Sequence, residues 1–146
     1  MKKLIIILCT MMVLSGCHWI SYSDDLSYEE VNLYKTNKSI LEFVASKQES
    51  NGAYIWDTED GKLYVLLTGI QVDADGLTRT YTDVSISSEK NVLKVSFKEK
   101  KTGPSQEDKE KTQRLFKLYL DQSYPNISVE KNGRKSAYTL ASKEND

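Results

Sequence analysis

Apolar and polar residues follow three regimes along this chain. An apolar run, Leu4 to Leu14, comes directly after Met1-Lys2-Lys3. Helical periodicity appears near residue 40, and from Gly52 onward the period is two. Between the run and the helix, His18 to Lys35 is polar, rich in Tyr, Ser, Asp and Glu, and weakly patterned. Ser27-x-x-Glu30 has capping-box spacing there and predicts a short helical turn. Ile40, Leu41 and Val44, joined by Phe43, form an apolar stripe, with Glu42, Lys47 and Gln48 elsewhere. Ser39 and Glu42 supply a second capping-box pair and Asn51-Gly52 a stop, so an amphipathic helix is predicted over about 38–49.

The strands follow in order. Ala53 to Asp57, the turn Thr58-Glu59-Asp60-Gly61 and Lys62 to Thr68 read as a hairpin, because Asp-Gly between apolar runs favours a tight turn. Leu63, Val65 and Leu67 share one face of the second strand, and Tyr64 and Leu66 the other. A strand apolar on both sides is central or covered by the helix. Val72-Asp73-Ala74-Asp75-Gly76 predicts a turn, Thr78 to Ile86 a Thr-rich strand, and Glu89-Lys90-Asn91 a further turn. In Val92 to Glu99, Leu93, Val95 and Phe97 alternate with Lys94, Ser96 and Lys98, as in a half-buried strand. Lys100 to Lys111 is dominated by charge and contains Gly103-Pro104, which predicts a solvated loop.

Thr112 to Leu120 admits two readings. Phe116, Leu118 and Leu120 alternate as in a strand, whereas Leu115, Phe116 and Tyr119 suit a helix; the surrounding strands favour strand. Ile127-Ser128-Val129 after Pro125, the turn Asn132-Gly133 and the return Arg134 to Leu140 complete the pattern. The expectation is an α+β fold, an N-terminal amphipathic helix packed on a mostly antiparallel sheet of about six or seven short strands. A small closed barrel plugged by the helix is the variant. This single domain is expected over 36–142, with 143–146 a frayed tail.

The apolar run has about eleven residues, against roughly 20 for a bilayer-spanning helix, and two lysines precede it. This is the build of a secretory signal. Leu14-Ser15-Gly16-Cys17 directly after it resembles the lipobox of bacterial lipoproteins. That resemblance implies removal of residues 1–16 and a diacylglyceryl group on the Cys17 thiol, with 17–35 as lipidated cysteine and tether. The expected partner of Cys17 is then a lipid bilayer, and the location its extracytoplasmic face. Lys, Ile, Tyr and Asn richness with two prolines points to an AT-rich Gram-positive source. Two acyl chains hold a protein stably where one does not. Cys9 would leave with the signal, so the domain would hold no disulfide and rest on its core alone.

Charge narrows the function classes. The chain carries 20 basic and 21 acidic residues, a formal net charge of −1, with both signs interspersed. No basic stripe marks a nucleic-acid partner. The single histidine, His18, falls in the tether, so the domain has neither a Ser-His-Asp nor a Cys-His pair. A Cys/His zinc site is excluded likewise, and no Gly-rich phosphate loop appears. No spacing singles out a carboxylate pair. Neither catalysis nor a cofactor is expected.

Three features carry candidate chemistry. Asp73-x-Asp75-Gly76 has the opening spacing of a calcium loop, but the downstream bidentate Glu is missing, so a polar turn and no metal is expected. The run Lys98 to Lys101 with Glu107 to Lys111 reads as a solvated connection. Among the nine Tyr and two Trp, Tyr54, Trp56, Tyr64 and Tyr81 lie on neighbouring strands. They form either an exposed contact surface for protein or sugar, or core and cross-strand pairs.

The helix over Ile40 to Gln48, Gly52-x-Tyr54 and Asp60-Gly61-Lys62-Leu63-Tyr64-Val65-Leu66-Leu67 are similar to the opening of the PrcB C-terminal domain family. Val84-Ser85-Ile86, Leu93-Lys94-Val95, Pro104 and Pro125-x-Ile127-x-Val129 extend the likeness over about 38–131. The family's Thr-Gly-Gly-Tyr segment is here Ala74-Asp75-Gly76-Leu77. The resemblance implies a small exported β domain of a kind implicated in stabilising a secreted protease complex. The function expected is that of a non-catalytic surface lipoprotein binding or stabilising another exported or envelope protein. The alternative is a module binding cell-wall glycan or a small hydrophobic molecule.

Overall fold

The structure, a computed structural model, describes residues 25–58, 61–103 and 109–141. Its elements are β1 (Ser27–Glu30), α1 (Lys38–Ser46), β2 (Gly52–Asp57), β3 (Leu63–Thr68), β4 (Thr78–Glu89), β5 (Val92–Thr102), α2 (Lys109–Thr112), β6 (Gln113–Tyr119), β7 (Asn126–Lys131), β8 (Arg134–Lys135) and β9 (Thr139–Ala141). The described residues are mostly β and form two sheets rather than one. The first has the order β1-β6-β3-β2-β9 and the second β4-β5-β7-β8; neither closes into a barrel.

Both faces of β3 are covered. Ile55, Val65, Leu67, Phe116 and Leu118 of the first sheet meet Tyr81, Ile86, Leu93, Val95, Phe97 and Val129 of the second in one buried cluster. On the opposite face Tyr54, Trp56, Tyr64, Leu66 and Leu115 pack against Ile40, Phe43 and Val44 of α1. The result is three layers, helix on sheet on sheet. The doubly apolar pattern of Leu63 to Leu67 has this cause: β3 is central in its sheet and walled on both sides.

The helix forms where the stripe predicts it, one turn shorter at its end. Asn37, not Ser39, is the N-cap, its side chain accepting from the Ile40 N–H at 3.0 Å. Lys38 and Glu42 pair at 3.4 Å on the exposed side.

Three expectations are corrected. Ser27–Glu30 is neither helical turn nor tether; it is an edge strand paired with β6, Ser27 opposite Tyr119 and Glu30 opposite Phe116. An exposed edge strand has little apolar alternation to betray it. β5 continues through Lys100 and Lys101 to Thr102, because its charged end pairs with Thr78 to Thr80. Arg134 to Leu140 does not return along β7: Arg134 and Lys135 alone pair back, and the chain then crosses to the first sheet as β9. The pairing is mostly antiparallel, as expected, with β5–β7 and β2–β9 as parallel exceptions. The segment 112–120, ambiguous in sequence, is strand, as its neighbours favoured: β6 covers Gln113–Tyr119, and Thr112 is the last residue of α2.

The turns follow their residues. Asn132 and Gly133 have φ of 53° and 75°, the pair of positive values a two-residue hairpin needs. Gly69 is required for another reason, since a Cβ there would lie 2.4 Å from the Arg79 carbonyl oxygen. That close approach lets the Arg79 N–H donate to the Gly69 carbonyl at 2.9 Å, tying the sheets at their junction.

Candidate protein-binding groove

The structure places the four aromatic residues singled out above in the interior. Tyr54, Trp56 and Tyr64 are covered by α1, and Tyr81 is fully buried between the sheets. Phe43 stacks on Trp56 with centroids 4.3 Å apart, and Trp56 lies 5.5 Å from Tyr64. Tyr81 meets Phe97 edge-on and donates from its hydroxyl to the Thr68 carbonyl oxygen at 2.8 Å. Burial holds its phenol well above the usual tyrosine range. The exposed contact surface is therefore corrected: these rings are core, because their strands are central and sandwiched. Cys17, with the lipobox and most of the expected tether, lies outside the described residues, as does the tail 143–146.

At the end of the sandwich where β4 begins and β5 ends, charged side chains form a network. The Asp73 carboxylate meets Lys101 at 2.7 Å and Arg79 at 3.4 Å, and Glu99 meets Lys131 at 3.2 Å and Arg79 at 3.7 Å. Asn132 both accepts from the Glu99 N–H and donates to its carbonyl oxygen. Asp73 is thus a partner of cations, with its carboxyl held below the usual range chiefly by Lys101. Its turn closes by the Asp73 N–H donating to Leu77 and the Gly76 N–H donating to Asp73. Among the described residues no group of three or more His, Cys, Asp or Glu is placed to hold a metal ion.

Sheet edges decide where another chain can join. The β4 edge is obstructed: the Arg79 N–H is taken by Gly69, the Tyr81 carbonyl oxygen by Arg114 at 3.3 Å, and the Val84 carbonyl oxygen by the Tyr28 hydroxyl at 3.3 Å. Asp83 has a φ of 50° at a register shift, a bulge that bends the strand between these contacts. At β1, Arg114 grips both carboxylate oxygens of Glu30 at 2.7 and 2.6 Å.

The β7 side differs. β8 covers only Glu130 and Lys131, and beyond the Ser136 N–H donating to the Val129 carbonyl the chain leaves for the first sheet. A groove of about 430 Å3 opens there, with Ile127, Val129, Ala137 and Tyr138 on its floor and walls and Lys135 at its lip. The sequence did not expose this feature. Its one signal is the run Ser136-Ala137-Tyr138, which breaks the return strand two residues after its turn.

No helix among the described residues is long and apolar enough to cross a membrane. No family model, no curated protein and no solved structure matches this chain.

Proposed function

We propose that the chain is a membrane-anchored surface lipoprotein that binds or stabilises another exported or envelope protein and does no chemistry of its own. The observation that carries this reading is Leu14-Ser15-Gly16-Cys17 placed directly after the two lysines and the short apolar run. Acylation of Cys17 would hold the domain at the outer face of the membrane. The groove beside β7 supports the binding half of the reading, as does the similarity to the PrcB C-terminal domain family. Burial of Tyr54, Trp56, Tyr64 and Tyr81 removes the aromatic patch that favoured a glycan-binding module.

Cells expressing the full chain and fed an alkyne-bearing palmitate test the anchor. The wild type should label and sediment with membranes, and Cys17→Ser should do neither. Equal sedimentation of an unlabelled Cys17→Ser chain would overturn the anchor. Crosslinking in intact cells tests the rest, a reproducible protein partner being the expected product and recovery of this chain alone the result that sinks it.

A further inference from the structure

Strand register fixes which end of the sandwich receives the N-terminal segment. Ser27 stands opposite Tyr119, at the end where Asp57 faces Leu63 and Val92 faces both Glu89 and Asn126. Connection 120–125 crosses between the sheets there, and the Gln122 side chain donates to the Lys90 carbonyl oxygen at 2.7 Å. The network around Asp73 and the Asn132-Gly133 turn lie at the opposite end. β5, with 11 residues, puts the two ends about 36 Å apart. From Cys17 to Ser27 the chain advances ten residues, at most about 36 Å when fully extended. With lipid on Cys17, the far end touches the bilayer only if that segment is stretched along the whole body. The Ser27 end is within reach at any extension.

Exposed apolar side chains gather at the end so selected. Tyr28 is 38% exposed, Tyr119 45% and Leu120 39%, and all three adjoin Ser27 in the β1–β6 pairing or follow it by one residue. The other large exposed apolar residues among those described, Tyr34, Leu41, Val72 and Leu140, belong to four separate segments, a scatter ordinary for any surface. The polar tip of Tyr119 is held: its hydroxyl donates to Glu29 and accepts from the Lys117 ammonium at 3.0 Å. A ring with an apolar body and a polar tip suits the headgroup level of a bilayer. Charge does not select this surface, since Asp57, Glu89 and Asp121 share the end with Lys62 and Lys90.

We propose that Tyr28, Tyr119 and Leu120 form a collar that rests in the headgroup layer of the bilayer holding Cys17, so that the Asn132-Gly133 turn faces outward. The proposal rests on the lipoprotein reading above and adds the surface that meets the lipid. Attachment through Cys17 replaces a free encounter with a local one, so a patch too small to hold a free domain stays in contact.

The test uses the full lipidated chain, isotopically labelled, in phosphatidylcholine nanodiscs that carry a lipid with a nitroxide headgroup. Its intact mass establishes the acyl group before the discs are formed. Amide signals of Ser27, Tyr28, Tyr119 and Leu120 should broaden, while those of Asn132 and Gly133 should stay sharp. Tyr119→Ser combined with Leu120→Ser should lower the docked population about tenfold, with Cys17 still acylated. Because both side chains are exposed, the variant's signals away from the collar should keep their positions. Adding phosphatidylglycerol should not increase the broadening, because the contact is apolar.

Uniform broadening over the domain, broadening strongest at Asn132, or a pattern unchanged in the double variant overturns the collar and leaves the anchor standing. Broadening that appears only with phosphatidylglycerol does the same, since a cationic contact would then carry it. A chain without lipid on Cys17 overturns the anchor reading, and the collar with it.

Discussion

Tyr81 shows how one side chain serves both packing and polarity. Its ring is fully buried against Phe97, and its hydroxyl reaches across to the Thr68 carbonyl of the other sheet. Tyr81→Phe keeps the ring and leaves that carbonyl without its donor, which costs about 1–2 kcal/mol. Urea denaturation read by far-UV circular dichroism checks this. The phenol's raised pKa has a further consequence with a definite sign. An unfolded tyrosine ionises near pH 10 while the folded one stays protonated, so stability is whole below about pH 10 and declines above it. Tyr81→Phe should show a shallower alkaline decline than the wild type; identical slopes would mean the burial of this hydroxyl is not felt.

Asp73 gives the opposite sign. Lys101 and Arg79 hold its carboxyl below the ordinary value. The stabilisation is therefore present above the unfolded carboxylate range near pH 4 and disappears as pH falls through the lower folded value. Acid titrations of stability should be flatter for Asp73→Asn than for the wild type. The sequence marked Asp73 as a turn residue, correctly, but its cationic partners come from β4 and β5 and could not be read locally.

The amphipathic helix is the element where pattern and structure agree best. Ile40, Phe43 and Val44 are the residues α1 buries, and a spacing of three and four makes that face legible without any neighbour. What the face buries against, Tyr54, Trp56 and Tyr64, was open in the sequence, because a strand's alternate face looks the same whether a helix or solvent covers it. Phe43→Ala removes the ring stacked on Trp56 and should cost about 3–5 kcal/mol. Trp56 emission in the native state should shift to longer wavelength as water reaches the indole. An unchanged emission and midpoint would mean α1 is not seated on the sheet as described. At β1 the reverse holds: four exposed residues gave no period, and the strand exists because Arg114 and β6 provide its ladder and its ion pair.

Across the whole molecule the chain passes between sheets repeatedly, from β3 to β4, from β5 to β6, from β6 to β7 and from β8 to β9. Neither sheet is a continuous piece of sequence, and both share one core. Separate unfolding of either would expose the other's inner face. Denaturation followed by Trp56 fluorescence, which reports the first sheet, and by the Val95 amide, which reports the second, should give one midpoint. Two separated midpoints would show that the sheets are independent units.

Local physics settled much of this protein from sequence alone. The run and lysines ahead of Cys17, the α1 stripe, the two-faced apolar pattern of β3, the half-buried β5 and the Asn132-Gly133 turn are properties of neighbours a few residues apart. Periodicity and turn chemistry act at that range, so they are readable. Which strand pairs with which was decided by tertiary structure, since alternation marks a strand's faces and leaves its partners open. That is why one sheet became two and two pairings became parallel. The same limit hid the candidate site: the aromatic residues that looked available are walled in, and the groove beside β7 exists because β8 stops after Lys135 and the chain crosses to the first sheet.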